Sequence, residues 1–174
     1  MGILDGKKGL IIGIANNRSI AWACANQRHF ANRGQMDAAG ATLGATWHTE
    51  KSRPHVEPLL DALGADIRRP LDVFEDAQMQ ALFDAVAERW GYLDFILHAV
   101  AYAPRQDLQG RVTDRSREGF CQAMDASCHS FIRLARLAEP LMPHGGSLIR
   151  MSYLGGAEAV PHYGIMGPVQ AARE

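Results

Sequence analysis

The run Gly9-Leu10-Ile11-Ile12-Gly13, followed by Ile14-Ala15-Asn16-Asn17-Arg18-Ser19-Ile20-Ala21-Trp22, constrains this chain more than any other stretch. An apolar strand, a glycine turn and the opening of a helix, in that order, aim backbone N–H groups and the positive end of a helix dipole at whatever lies in front of the turn. A pyrophosphate suits that place. The G-x-G-x-x-G fingerprint is absent, because Ala15 follows Gly13 and Ser19 and Ile20 stand where later glycines are expected. A plain strand-to-helix turn of an α/β domain therefore also accounts for the pattern.

The remaining elements alternate. Leu10 to Gly13 is the first strand, and Ser19 caps a helix carrying Ile20, Trp22, Ala23 and Cys24. From Asn26 to Gly40 the glycines Gly34 and Gly40 interrupt the pattern, so a loop or broken helix is expected there. Ala41 to Trp47 reads as a second strand. Val56, Leu59, Leu60 and Leu63 then recur at helical spacing before Gly64, and Asp66 to Leu71 is the third strand. Asp76 is expected to cap a helix that buries Met79, Leu82, Phe83, Val86 and Trp90 and ends at Gly91. Leu93 to Val100 is a near-continuous apolar run of the kind buried on both faces of a parallel sheet. Pro104 to Thr113 reads as loop, and Ser116 to Met142 as one long helix anchored by Phe120, Met124, Phe131, Leu134 and Leu137. Ser147 to Tyr153 is the fifth strand. Strands and helices in alternation imply right-handed crossovers and a doubly wound sheet, whose ligands gather at the carboxyl ends of the strands. Gly13, Asp72, Ala99 and Tyr153 fall at or just beyond those ends.

Composition narrows the function. The 174 residues carry 18 basic and 19 acidic side chains for a net charge of -1, which gives no electrostatic footprint for nucleic acid or an anionic membrane. No apolar run approaches the ~20 residues of a membrane helix. Cys24, Cys121 and Cys128 form neither a C-x-x-C pair nor an even disulfide framework, which fits a reducing cytoplasm. Cys121 and Cys128 are expected to share one helix face as small apolar packing. The histidines His29, His48, His55, His98, His129, His144 and His162 show no metal-ligand spacing, so no metal is expected. No G-x-S-x-G elbow supports a serine hydrolase.

Read together, Gly13 to Trp22, Leu71-Asp72-Val73, Leu97-His98-Ala99-Val100-Ala101, Ser116-Arg117-Glu118-Gly119-Phe120, Ser152-Tyr153-Leu154-Gly155 and Pro161-His162-Tyr163-Gly164-Ile165-Met166-Gly167 closely resemble NADH-dependent enoyl-acyl carrier protein reductases, members of the short-chain dehydrogenase/reductase superfamily. The resemblance implies a single Rossmann-like dinucleotide-binding domain over residues 1–174. Its doubly wound parallel sheet would have five strands in the order 3-2-1-4-5, with the last two family strands absent and the domain incomplete at its C-terminus. It implies NADH/NAD as cofactor, an enoyl substrate carried on acyl carrier protein, a place in fatty-acid biosynthesis and a homo-tetramer. Carried over by position, the cofactor contacts are Gly13 at the pyrophosphate turn, Ser19 and Ile20 at the helix opening, His48 at the end of strand two, Asp72 and Val73 at the adenine, and Val100 after strand four. Ala103 is the position whose backbone meets substrate. Tyr153 and Tyr163 match the two active-site tyrosines, with Tyr163 given the task of stabilising the enolate oxygen.

Two departures stand out. His48 takes the place of a common glutamine, and Gln170, seven residues after Tyr163, takes the place of the lysine that holds the nicotinamide ribose. A glutamine keeps a hydrogen bond and loses the charge. Pro168 would be costly inside a helix unless the helix begins there. Turnover is therefore expected to be slow, and the alternative is a non-catalytic remnant that retains at most nucleotide binding.

Overall fold

The computed structural model describes residues 2–26 and 39–173. The loop or broken helix expected between Asn26 and Gly40 lies outside the described residues except at its two ends. The chain divides into two compact units, residues 1–99 with 135–149, and residues 100–134 with 150–174.

The first unit is built on a sheet of β1 (Lys8–Ile12), β2 (Thr42–Trp47), β3 (Ile67–Pro70), β4 (Phe95–His98) and β5 (Ser147–Arg150) in the order β3-β2-β1-β4-β5. This is the doubly wound order expected. The pairings of β1 with β2, β1 with β4 and β2 with β3 are parallel. β1 and β4 are mostly apolar because they are covered on both sides: Leu10, Ile11, Ile12 and Ile96 are fully buried. The crossovers are α1 (Ile20–Ala25), α2 (Arg53–Ala62) and α3 (Asp76–Trp90). Ser19 caps α1 as read, its Oγ accepting from the Trp22 N–H at 3.4 Å. α3 buries the expected face, Met79, Leu82, Phe83, Val86 and Trp90, and stops where Gly91 takes the left-handed φ of 74°. Its cap differs from the reading: Glu75 occupies the N-cap without a side-chain bond, and Asp76 is the first helical residue. Two glycines admit large neighbours, since a Cβ on Gly9 would strike the Phe95 ring and one on Gly44 would meet Leu10 and Trp90. β5 ends the sheet order with Leu148 and Ile149 exposed.

The second unit holds α4 (Arg105–Leu108), α5 (Arg117–Met124), the opening of α6 (Ser130–Ala138) and α7 (Met166–Ala171). The stretch Pro104 to Thr113 is thus not plain loop, containing α4 and the start of a 3-10 turn at Val112–Asp114. Asp107, buried, organises it by accepting from the Ser116 N–H at 2.8 Å and the Ser116 Oγ at 3.0 Å, while Ser116 caps α5 through the Gly119 N–H. The long helix is interrupted by a π turn at Asp125–His129, which periodicity cannot show. Leu134 anchors it as read, but Phe120 is exposed. The packing role expected of the cysteines is not met either: Cys121 is exposed, and the Cys128 thiol donates to the Ala172 carbonyl at 3.5 Å. The added residue of a π turn rotates the following face, so a spacing of seven no longer superposes two side chains. Tyr153 lies three residues beyond β5 rather than within it. Among the described residues no helix is long and apolar enough to cross a membrane.

In the first unit β3 and α3 are tied by Asp66, which accepts from Arg89 at 2.7 and 3.2 Å and from the Trp90 indole at 2.8 Å. The Arg89 guanidinium first, then the indole N–H, hold the Asp66 carboxyl below its ordinary value. A lowered folded-state value gives stability that is complete above the unfolded value and is lost as pH falls through the folded one. Asp66→Asn should lower unfolding free energy by about 1 kcal/mol near neutral pH, and the gap between the two proteins should close in acid. Urea unfolding at a series of pH values measures this; a gap that does not narrow contradicts it.

Candidate functional site

At the carboxyl edge of the first unit's sheet, successive strands are stitched together by single hydrogen bonds. The Ala99 N–H donates to the Ile12 carbonyl at 2.9 Å, the Ile14 N–H to the Thr46 carbonyl at 2.9 Å, and the Leu71 N–H to the Trp47 carbonyl at 2.7 Å. The last registered pair of β1 and β4 is Ile12 opposite His98, so Gly13 and Ala99 leave the sheet side by side. The strand order reverses between these two strands, which in sheets of this type is where nucleotides bind. Gly13 has φ 98°, a conformation that only glycine adopts readily, and its N–H donates to the Thr46 Oγ1 at 3.2 Å. Ser19 closes the turn by donating from Oγ to the Asn16 carbonyl at 2.7 Å, and Ile20 follows as an exposed residue at the start of α1.

His48 and Asp72, both carried over from the resemblance, meet: His48 Nε2 lies 3.4 Å from Asp72 Oδ2. Asp72 is set in place from both sides, its N–H donating to Gln78 Oε1 at 2.9 Å and its Oδ1 accepting from the Phe74 N–H at 3.0 Å. Val73 between them is buried. Beyond β2, Arg53 is shared between Glu50 at 3.4 Å and Glu57 at 3.3 Å.

The second unit brings the tyrosines together. Tyr153 and Tyr163 have ring centroids 4.8 Å apart at 54°. Tyr163 packs on a small core of Ala103, Ala123, Ile165, Met166 and Val169, so Ala103 lies in the same cluster. Gly155 is obligatory here, because a Cβ would overlap the Tyr163 ring. Tyr153 is half exposed at 50%. A cleft of about 460 Å³ opens on Tyr163, with Arg111, Glu158 and His162 among its walls. Val100, partly buried, begins this unit.

Gln170 sits 4% exposed on α7 and donates from Nε2 to the Tyr163 hydroxyl at 3.2 Å. Pro168 is accommodated because α7 begins at Met166, which puts the proline in the first turn, where N–H groups have no intrahelical acceptor. Three features escaped the sequence reading. Ser127 latches the stretch before Ala103, accepting from the Tyr102 N–H at 2.9 Å and donating to the Tyr102 carbonyl at 3.1 Å. His162, just before Tyr163, has φ 62°, a strained value for a non-glycine residue. Arg173, 6% exposed, donates from Nη1 to Gln170 Oε1 at 3.0 Å. Only the last had a signal, the helical i, i+3 spacing from Gln170.

The chain is similar to known proteins over nearly its whole length. A family model described as Enoyl-(Acyl carrier protein) reductase matches residues 13–174. The NADH enoyl-(acyl carrier protein) reductase 1 of Rhizobium meliloti is 40% identical over 99% of this chain and 61% of its own length. The NADH reductase FabI of Nostoc is 44% identical over 98% and 64%. Among solved structures, the NADH enoyl reductase of Aquifex aeolicus superposes with a TM-score of 0.91 at 40% identity, covering 99% of this chain and 66% of that one. The reductase of Anaplasma phagocytophilum, solved with NAD, gives 0.88 at 39% identity over 98% and 62%. This chain thus spans a little under two thirds of the length of the curated relatives it matches. With a match that runs from the glycine turn through both tyrosines, the chain belongs to the enoyl-(acyl carrier protein) reductase family.

Proposed function

We propose that this chain serves the NADH-dependent reduction of trans-2-enoyl groups carried on acyl carrier protein, a step of fatty-acid biosynthesis. The first unit's geometry fits a dinucleotide. Gly13 supplies a Cβ-free turn at the point of strand reversal, with Ser19 and Ile20 opening the helix behind it. Asp72, braced by Gln78 and Phe74, keeps an oxygen toward His48, and these two with Val73 would hold the adenine end. Val100 and Gln170 are the proposed nicotinamide-side residues. NADH, when bound, supplies the hydride.

The observation that carries the reading is the fixed hydroxyl of Tyr163. Reduction at the β-carbon of an enoyl thioester drives negative charge onto the carbonyl oxygen, and a phenol donating there stabilises the transition state more than the ground state. Tyr163 is wedged by Gly155 and its oxygen already accepts a hydrogen bond from Gln170, so its proton is available to a ligand oxygen. Tyr153, its ring tilted against that of Tyr163, acts second by holding the ring, and Ala103 is the proposed substrate-side backbone position. One observation favours a second reading, nucleotide binding without turnover: Gln170 is neutral where the resemblance implies a charged lysine.

NADH oxidation followed at 340 nm with a crotonyl thioester separates the two. The enzyme reading expects turnover that falls about 10²–10³-fold in Tyr163→Phe, the usual cost of removing one oxyanion donor. Fluorescence-detected NADH binding with no oxidation would leave the second reading standing.

NADH is expected over NADPH, because the arginine nearest the end of β2 is committed to Glu50 and Glu57 rather than poised for a 2′-phosphate. Titration should give NADPH a dissociation constant larger by roughly tenfold or more. Equal constants would contradict the assignment.

A further inference from the structure

Gln170 has one side-chain acceptor and one NH2 group, and the two ends meet different partners. Oε1 faces Arg173 Nη1 at 3.0 Å, and Nε2 faces the Tyr163 hydroxyl at 3.2 Å. A guanidinium has donors only, so it can stabilise just one of the two orientations of this amide, the one with oxygen toward residue 173. That orientation places the NH2 group against Tyr163. Tyr163 Oη must then accept from Gln170, and its own hydrogen is directed away from α7. Three donors run in one direction, from guanidinium to amide to phenol, and bonds aligned in this way polarise one another.

From this geometry we infer that Arg173 is a positioning residue. By fixing the amide of Gln170 it makes Tyr163 a donor toward its ligand rather than toward the protein. The inference deepens the reading of Tyr163 as the group that meets the substrate carbonyl, and rests on that reading for its catalytic consequence. Arg173 touches neither substrate nor cofactor in this role. Its guanidinium and the Gln170 amide are both buried, so neither end of the pair can exchange its partner for water at little cost.

The pairing also explains why residues 170 and 173 belong together. An ammonium at 170 would face a guanidinium one helical turn away in a buried site, where like charges repel most strongly. A lysine at position 170 is disfavoured while position 173 keeps its guanidinium.

The test uses the 174-residue chain labelled with 15N and reads the Gln170 side-chain NH2 signals, assigned by their loss in Gln170→Met. In the Arg173 background, Tyr163→Phe should shift those signals. In Arg173→Leu the same Tyr163→Phe change should leave them in place, and Arg173→Lys, which restores a donor, should bring the response back. A response of equal size in Arg173→Leu overturns the inference. With NADH and a crotonyl thioester, Arg173→Leu should lower kcat roughly 3- to 10-fold while KM stays within about twofold, and an unchanged kcat would count against it equally. If the parent chain shows no turnover, the reductase reading fails, and the amide signals still decide the orientation. A third arm is independent of both: Gln170→Lys should lower the thermal unfolding midpoint, and adding Arg173→Leu should recover most of the loss. Additive losses in the double variant would contradict the pairing.

Discussion

The register of β1 between β2 and β4 is the constraint on which the first unit of this protein depends. Because Ile12 is opposite His98, the chain leaves both strands at the same level, and Gly13 and Ala99 emerge together. A shift of one residue would turn every buried side chain of β1 to the other face and carry the glycine turn away from the point of strand reversal. The register is held by apolar burial along Leu10, Ile11, Ile12, Ile96 and Leu97, and by the aromatic ring of Phe95 against the bare backbone of Gly9. Single hydrogen bonds from Ala99, Ile14 and Leu71 then lock the ends of neighbouring strands. A parallel sheet can expose chemistry only at such ends, since both its faces are occupied.

In the second unit the comparable constraint is steric and polar at once. Gly155 makes room for the Tyr163 ring, the Ala103, Ala123, Ile165, Met166 and Val169 cluster supports its face, and Gln170 fixes its hydroxyl. The strained His162 sets the entry into this residue. A hydroxyl held in this way meets a ligand oxygen without first losing rotational freedom, which is the advantage of a preorganised donor over a mobile one. Where the resemblance implies a lysine, this chain has an amide and a guanidinium in series, so the positive charge reaches the phenol only through Gln170.

Much of this was legible in the sequence where local chemistry and tertiary structure agree. The five strands follow from apolar runs separated by helical spacing and their order from the family resemblance, while Gly91 and Ser19 terminate helices as their residue types require. The turn at Gly13 needed no alignment of glycines to be found. What failed depended on backbone detail that side-chain pattern does not encode: the π turn at Asp125–His129 separates Cys121 from Cys128, and the exposed Phe120 follows an apolar rule that surface helices routinely break. Pro168 looked disruptive only because the start of α7 was unknown. Arg173 was invisible for a different reason. A single arginine near a helix end is ordinarily solvated, and its burial against Gln170 is a tertiary fact.

Proposed hydride delivery by this chain to the β-carbon of an enoyl thioester is read out by isotope transfer. NADH deuterated at both C4 positions would be incubated with the chain and a crotonyl thioester, and the product read by mass spectrometry and proton NMR. The expected product is a butyryl thioester with one deuterium, located at the β-carbon. Unlabelled product, label at the α-carbon, or an enoyl thioester recovered unchanged beside bound NADH would contradict it.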